Sequence, residues 1–203
     1  MKKIQLIIVL IITTICNSQI TIYSLKGWSG DFPLNSYIKD IDNDFGGFEG
    51  DYEYTNNGTL FRIKLLKKTM VPMTGNYGDL FHYEDLIVGE IEYTVQNTNT
   101  LVNTMANIYA EFDDPYNHAI VCNMIIDNND FGDCTDCAPN EIRISASMFD
   151  TKRGSNFIFR KTTVNGIPAL KISKRSIAGY VIKNVPITLP IIPDGEYIFI
   201  KVN

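Results

Sequence analysis

This 203-residue chain is predicted to be all-β, a single antiparallel barrel of about 8–10 strands, with a two-sheet sandwich as the second choice. Three observations carry the prediction. Apolar residues recur with period two, turn signals separate the runs, and no run keeps the 3.6 period of a helix.

The strands follow in order. Phe48, Gly50, Tyr52 and Tyr54 alternate with Glu49, Asp51 and Glu53, and Phe61, Ile63 and Leu65 alternate with Arg62 and Lys64. Ile87, Gly89, Ile91, Tyr93 and Val95 alternate with Glu90, Glu92, Thr94 and Gln96, which reads as one apolar and one wet face. Ile108-Ala110-Phe112, Ile142-Ile144-Ala146-Met148, Phe157-Phe159 and Tyr180-Ile182 continue the pattern, Cys122 sits mid-strand in His118 to Ile126, and Glu196 to Val202 is β-rich on both faces, as expected of a strand covered on both sides. Asn56-Asn57-Gly58, Asn165-Gly166 and Asp194-Gly195 supply the residues that adopt positive φ in tight hairpins. Ser24 to Asn43 keeps no period and holds the single tryptophan, Trp28. Residues 19–46 therefore read as an N-terminal arm or lid, and 47–203 as the barrel.

Residues 1–18 read as a secretory signal peptide: Met1-Lys2-Lys3 is cationic, Ile4 to Ile12 is apolar apart from Gln5, and Cys16-Asn17-Ser18 precedes Gln19. The apolar run is well short of the ~20 residues that span a bilayer. Export to the periplasm or the exterior is expected, with cleavage near Ser18-Gln19 and no stable membrane span in the mature chain. Ile15 before Cys16 argues against a lipidated cysteine. Removing this segment leaves 185 residues with 16 basic and 23 acidic side chains, a formal charge of -7. Such an acidic surface excludes nucleic acid as the expected partner, because there is no basic excess to neutralise phosphates.

Chemistry-bearing residues are few. Cys122, Cys134 and Cys137 remain after processing, and an exported protein pairs its thiols. A bridge within Cys134-Thr135-Asp136-Cys137 is favoured over one back to Cys122. The sharper alternative is a zinc site of His118, Cys122, Cys134 and Cys137; ordinary core and loop roles are expected instead, with no metal and no cofactor. Asp40-x-Asp42-x-Asp44 has the spacing of a calcium loop, but Phe45 stands where the loop requires glycine, and the acidic stretch Asp127 to Asp136 breaks at Phe131. His82 and His118 lie in no hydrolase or zinc-protease motif. His82 reads as a loop residue before the strand at Ile87, and no catalytic residue is assigned. Aromatic rings, eleven Tyr and eleven Phe, supply the pocket candidates Trp28, Tyr52, Tyr54, Tyr93 and Tyr109; Tyr77, Phe81, Tyr83 and Tyr116 also stand near strand ends.

Two stretches, Tyr37-Ile38-Lys39-Asp40-Ile41 with Phe48 to Glu53, and Leu189-Pro190 with Gly195-Glu196-Tyr197-Ile198, resemble an uncharacterised family of small secreted Bacteroidota proteins. Gly50-Asp51-Tyr52 also resembles the Gly-x-Trp opening strand of lipocalins. That resemblance implies a ring that plugs one end of a barrel and a cation from the last strand, here Lys201, packed across it. The expected function is non-enzymatic binding of a small apolar or lipid-like ligand. The alternative is a packed barrel whose loops contact a protein or glycan partner.

Overall fold

The computed structural model describes residues 20–27, 33–74, 80–96, 98–127, 134, 136–149, 154–176 and 191–202. The expected signal segment, Trp28, Tyr77, the strand at Tyr180-Ile182 and residues 128–133 and 135 of the Asp127 to Asn140 loop lie outside the described residues.

The described residues form eleven strands: β1 (Thr21–Ser24), β2 (Ser36–Lys39), β3 (Gly50–Asn56), β4 (Thr59–Thr74), β5 (Leu80–Val95), β6 (Asn99–Asn103), β7 (Ile120–Ile126), β8 (Arg143–Phe149), β9 (Gly154–Val164), β10 (Ile167–Ser176) and β11 (Gly195–Val202). From β3 onward, and passing over β6, each strand pairs antiparallel with the next. β11 then returns to β3, so the hydrogen bonds close in a ring of eight strands. Closure leaves these strands no open edge between them.

The sheet as a whole is mixed, a correction to the purely antiparallel expectation. β1 runs parallel to β2, and β2 runs parallel to β5 at Tyr83 and Glu84. The reason is the length of β5. Its sixteen residues meet β7 over only Ile87 to Gly89, which leaves backbone donors and acceptors at both ends for β2 and β6 to satisfy. The aperiodic arm thus carries two strands too short to show a period.

Two hairpins turn as expected. Asn57 and Gly58 (φ 46° and 80°) join β3 to β4, and Asn165 and Gly166 (φ 52° and 80°) join β9 to β10; two successive positive φ values match the strand twist. Asp194-Gly195 makes no such turn. Asp194 Oδ1 instead accepts from Ser176 N (2.9 Å), Ser176 Oγ (2.6 Å) and Lys174 Nζ (2.9 Å), clamping the end of β10 beside the start of β11. Ile108-Ala110-Phe112 is not a strand either. A 3₁₀ turn over Met105–Asn107 leads into an irregular strap running to His118, because Asp113-Asp114-Pro115 removes the pairing a strand would need.

The inward row is dominated by aromatic and branched side chains. Phe61, Phe157, Phe159, Phe199, Ile63, Ile91, Ile144 and Ile172 are all fully buried. Gly89 marks the tightest point of this wall: a Cβ there would lie 2.7 Å from Leu65 Cδ2 and 3.0 Å from Lys64 O, so β4 and β7 close on β5 only around a glycine. A second, smaller apolar cluster lies on the outer face. Leu86, Val88, Val121 and Ile108 pack there with Leu66, Val71 and Met73.

Candidate functional site

The ring interior and the outer face differ in what they offer a ligand. Inside, the expected pocket residues Tyr93 and Tyr54 pack on other rings: Tyr93 on Phe61 at 5.5 Å, Tyr54 on Tyr197 at 5.1 Å, with Phe61 on Phe199 at 5.0 Å, all edge to face. Tyr52 is buried and Tyr54 half-buried in the same body of side chains. Tyr109 is 70% exposed on the outside, with Lys64 Nζ 5.7 Å from its ring centre. The sequence candidates therefore divide between the interior and the outer surface.

A cleft of about 830 Å³ opens on the outer face, between the far half of β4 and the strap over Glu111 to His118. Leu66, Met70, Val71, Pro72, Phe112 and Pro115 give it apolar walls, and Lys68, Glu111, Asp113 and His118 add polar groups. That volume and composition fall in the range of small-molecule sites.

The cleft floor is shaped by a β-bulge. Register between β4 and β5 slips between Lys68 and Val71, and Met70 adopts φ 54°, a left-handed conformation unfavourable for a side chain of this size. A buried carboxylate holds it there. Met70 N donates to Asp85 Oδ1 at 3.0 Å, Tyr37 Oη donates to the same oxygen at 2.6 Å, and Asp40 N donates to Asp85 Oδ2 at 3.1 Å. Burial and the neighbouring Asp85 carboxylate push the Tyr37 phenol up. β2 thus braces the bulge through Asp85.

The strap contributes a histidine fixed by a buried acid. His118 Nδ1 lies 2.7 Å from Glu90 Oε1, both side chains are 1% exposed, and Phe112 packs edge to face on the imidazole at 4.8 Å. Glu90 corrects the wet-face reading of its strand: the strap covers this part of the outer face and takes Glu90 out of water. Glu84, further along the same face, is also buried; burial pushes its carboxyl up to about 7, and the Asn123 amide at 3.4 Å opposes the shift. His82 Nε2 stands 3.6 Å from Glu84 Oε2, and burial lowers the His82 imidazole. His82 is a buried strand residue of β5, which corrects its placement in a loop.

The model of the Family of unknown function (DUF6705) matches residues 1–202 of the chain. The chain belongs to DUF6705. No curated protein and no solved structure matches it.

In this DUF6705 chain the cysteines divide as favoured from sequence: Cys134 and Cys137 are placed as a disulfide with Cα atoms 5.0 Å apart, while Cys122 is free and buried. Cys122 faces inward, with Sγ 3.9 Å from Met124 O, whereas His118 turns to Glu90 on the outside, so the zinc quartet is not assembled. Among the described residues no group of three or more His, Cys, Asp or Glu is placed to hold a metal. The Asp40 carboxylate serves the protein itself. It accepts from Asp44 N (2.8 Å) and Phe45 N (3.0 Å) and pairs with Lys67 Nζ at 2.6 Å, while Asp51 pairs with Lys64 at 3.2 Å.

Sequence reasoning missed the cleft residues Leu66, Met70, Val71 and Phe112, and the acids Glu84, Asp85 and Glu90. Glu84-Asp85 beside an apolar run was the one available signal, since two adjacent acids on opposite faces of a strand must both find partners.

Proposed function

We propose that this protein is an exported, non-enzymatic binding protein built on a lipocalin-like barrel, which takes a small, mostly apolar ligand in its external cleft. The observation that carries the reading is the apolar cleft of about 830 Å³ on a floor shaped by the Met70 bulge. A left-handed methionine pinned by three hydrogen-bond donors on one buried carboxylate is a costly local arrangement, and such strain concentrates at functional sites. The up-and-down order of the ring, with first strand meeting last and Lys201 over Tyr52, supports the lipocalin-like part. The mutual packing of the inward side chains among the described residues supports placing the ligand outside.

Exposed aromatics favour a second reading. Tyr109, Tyr116 and Phe81 are 70%, 41% and 39% exposed, and a packed barrel could use them to contact a protein or glycan. Native mass spectrometry of protein secreted by its own cells, before and after mild organic extraction, separates the two. The ligand reading expects an extractable small molecule, and binding of an environment-sensitive apolar dye that Val71→Asp abolishes. A bare mass together with no dye binding would overturn it in favour of the surface partner.

A further inference from the structure

The chemistry of the cleft wall narrows the class of ligand, resting on the reading of the cleft as a binding site. Among its lining side chains His118 is exceptional: its imidazole is 1% exposed and is held on one edge by Glu90 and on one face side by Phe112. Glu90 is equally buried, and its Oε2 has no hydrogen-bond partner among the described residues, so the His118 contact is the hydrogen bond that compensates its burial. Lys64, its register partner on β4, keeps positive charge on the adjoining strand. In the tautomer that donates Nδ1–H to Glu90 Oε1, Nε2 carries no proton and is an acceptor. Nδ1 is occupied by Glu90, and Nε2 is the polar atom the ring has left to offer.

We propose that His118 is the specificity-determining residue of the cleft and that it accepts a hydrogen bond at Nε2 from a hydroxyl group of an otherwise apolar ligand. The ligand class is then an apolar alcohol. Its hydrocarbon body lies against Leu66, Val71, Pro72 and Phe112, and its hydroxyl reaches the histidine where little water competes for the bond. A ligand of equal apolar area without a donor leaves Nε2 unpaired and loses that discrimination.

The experiment uses the processed chain and three probes of equal chain length: dodecan-1-ol, its methyl ether and dodecanoate, each displacing an environment-sensitive apolar dye. The alcohol is expected to bind about five- to tenfold more tightly than the ether, the difference one hydrogen bond makes. His118→Phe, which keeps an aromatic ring against Phe112, should erase that preference and retain ether binding; circular dichroism and a cooperative urea transition of the variant beside those of the wild type show whether it is intact. Should His118→Phe fail to fold, the wild-type alcohol-to-ether ratio still decides. Equal binding of alcohol and ether, or tighter binding of dodecanoate than of the alcohol, overturns the assignment to His118 while leaving the cleft as a binding site. Failure of all three probes and the dye to bind overturns the cleft reading itself.

Discussion

Lys201 and Tyr52 stand opposite each other where the last strand of the ring meets the first, with Lys201 Nζ 5.6 Å from the centre of the Tyr52 ring. The ammonium also donates to Glu49 O at 2.8 Å, and Gly50, at φ 135°, makes room for its stem. A Cβ on Gly50 would lie 2.6 Å from Lys201 Cε. The contact therefore seals the junction of the ring made by its first and last strands, β3 and β11.

Loosening this seam should destabilise the fold. Lys201→Ala is expected to cost about 1–2 kcal/mol, from the lost hydrogen bond and cation–ring contact. Gly50→Ala should cost about 2–3 kcal/mol, because it adds backbone strain to the collision. In the double variant the collision is gone and the strain remains, so the two effects should sum to less than their separate values. Urea unfolding of the four proteins checks this, and an unchanged midpoint in Lys201→Ala would mean that backbone pairing alone holds the seam.

Glu84 makes stability depend on pH. Its carboxyl is raised from the usual 4.5 to about 7 by burial, so between these values the folded protein binds more protons than the unfolded chain. Stability from this group is then fully present below the unfolded value and declines as pH rises through about 7. Glu84→Gln should remove the decline, stabilising the protein at pH 8 by up to about 3 kcal/mol and leaving it unchanged near pH 4. Urea midpoints at the two pH values measure the difference; equal effects at both would contradict the assignment.

Asp85 links the arm to the cleft. Asp85→Asn keeps the size but replaces one accepting oxygen with a donor amide, so the oxygens that serve Met70 N, Tyr37 Oη and Asp40 N cannot all be retained. A loss of about 2–4 kcal/mol is expected, together with weaker dye binding in the cleft as the bulge relaxes. Stability loss without any change in dye affinity would separate the bulge from the binding surface.

Thiol chemistry should follow burial. Burial pushes the Cys122 thiol up, far from a reactive thiolate. In a chain cleaved after Ser18, iodoacetamide should label no cysteine under native conditions, only Cys122 in denaturant, and all three after reduction. Intact mass counts the labels, and labelling of Cys134 or Cys137 without reductant would exclude their disulfide.

Much of the fold was legible because its signals are local. Alternation from Phe61 to Leu65 and from Ile87 to Val95 identified strands, and Asn57-Gly58 and Asn165-Gly166 identified their turns, because a pleat and a type I′ turn each impose their own residue pattern. Ile108 to Phe112 misled for the same reason. Its alternation mimics a strand, but Ile108 is apolar because it roofs the outer cluster. β2 was missed because four residues cannot express a period, and it exists only where β5 outruns β7.

The sequence by itself determined most strands of the ring and the two tight turns, since each rests on residue spacing or on a short motif. Only the tertiary structure decided that the inward aromatic rings pack on one another, that the wet face of β5 is covered at Glu90, and that Glu90 meets His118, 28 residues away, at the wall of a cleft. Those outcomes depend on which surfaces meet once the ring closes. Burial is a property of the assembled surfaces, and no local pattern encodes it.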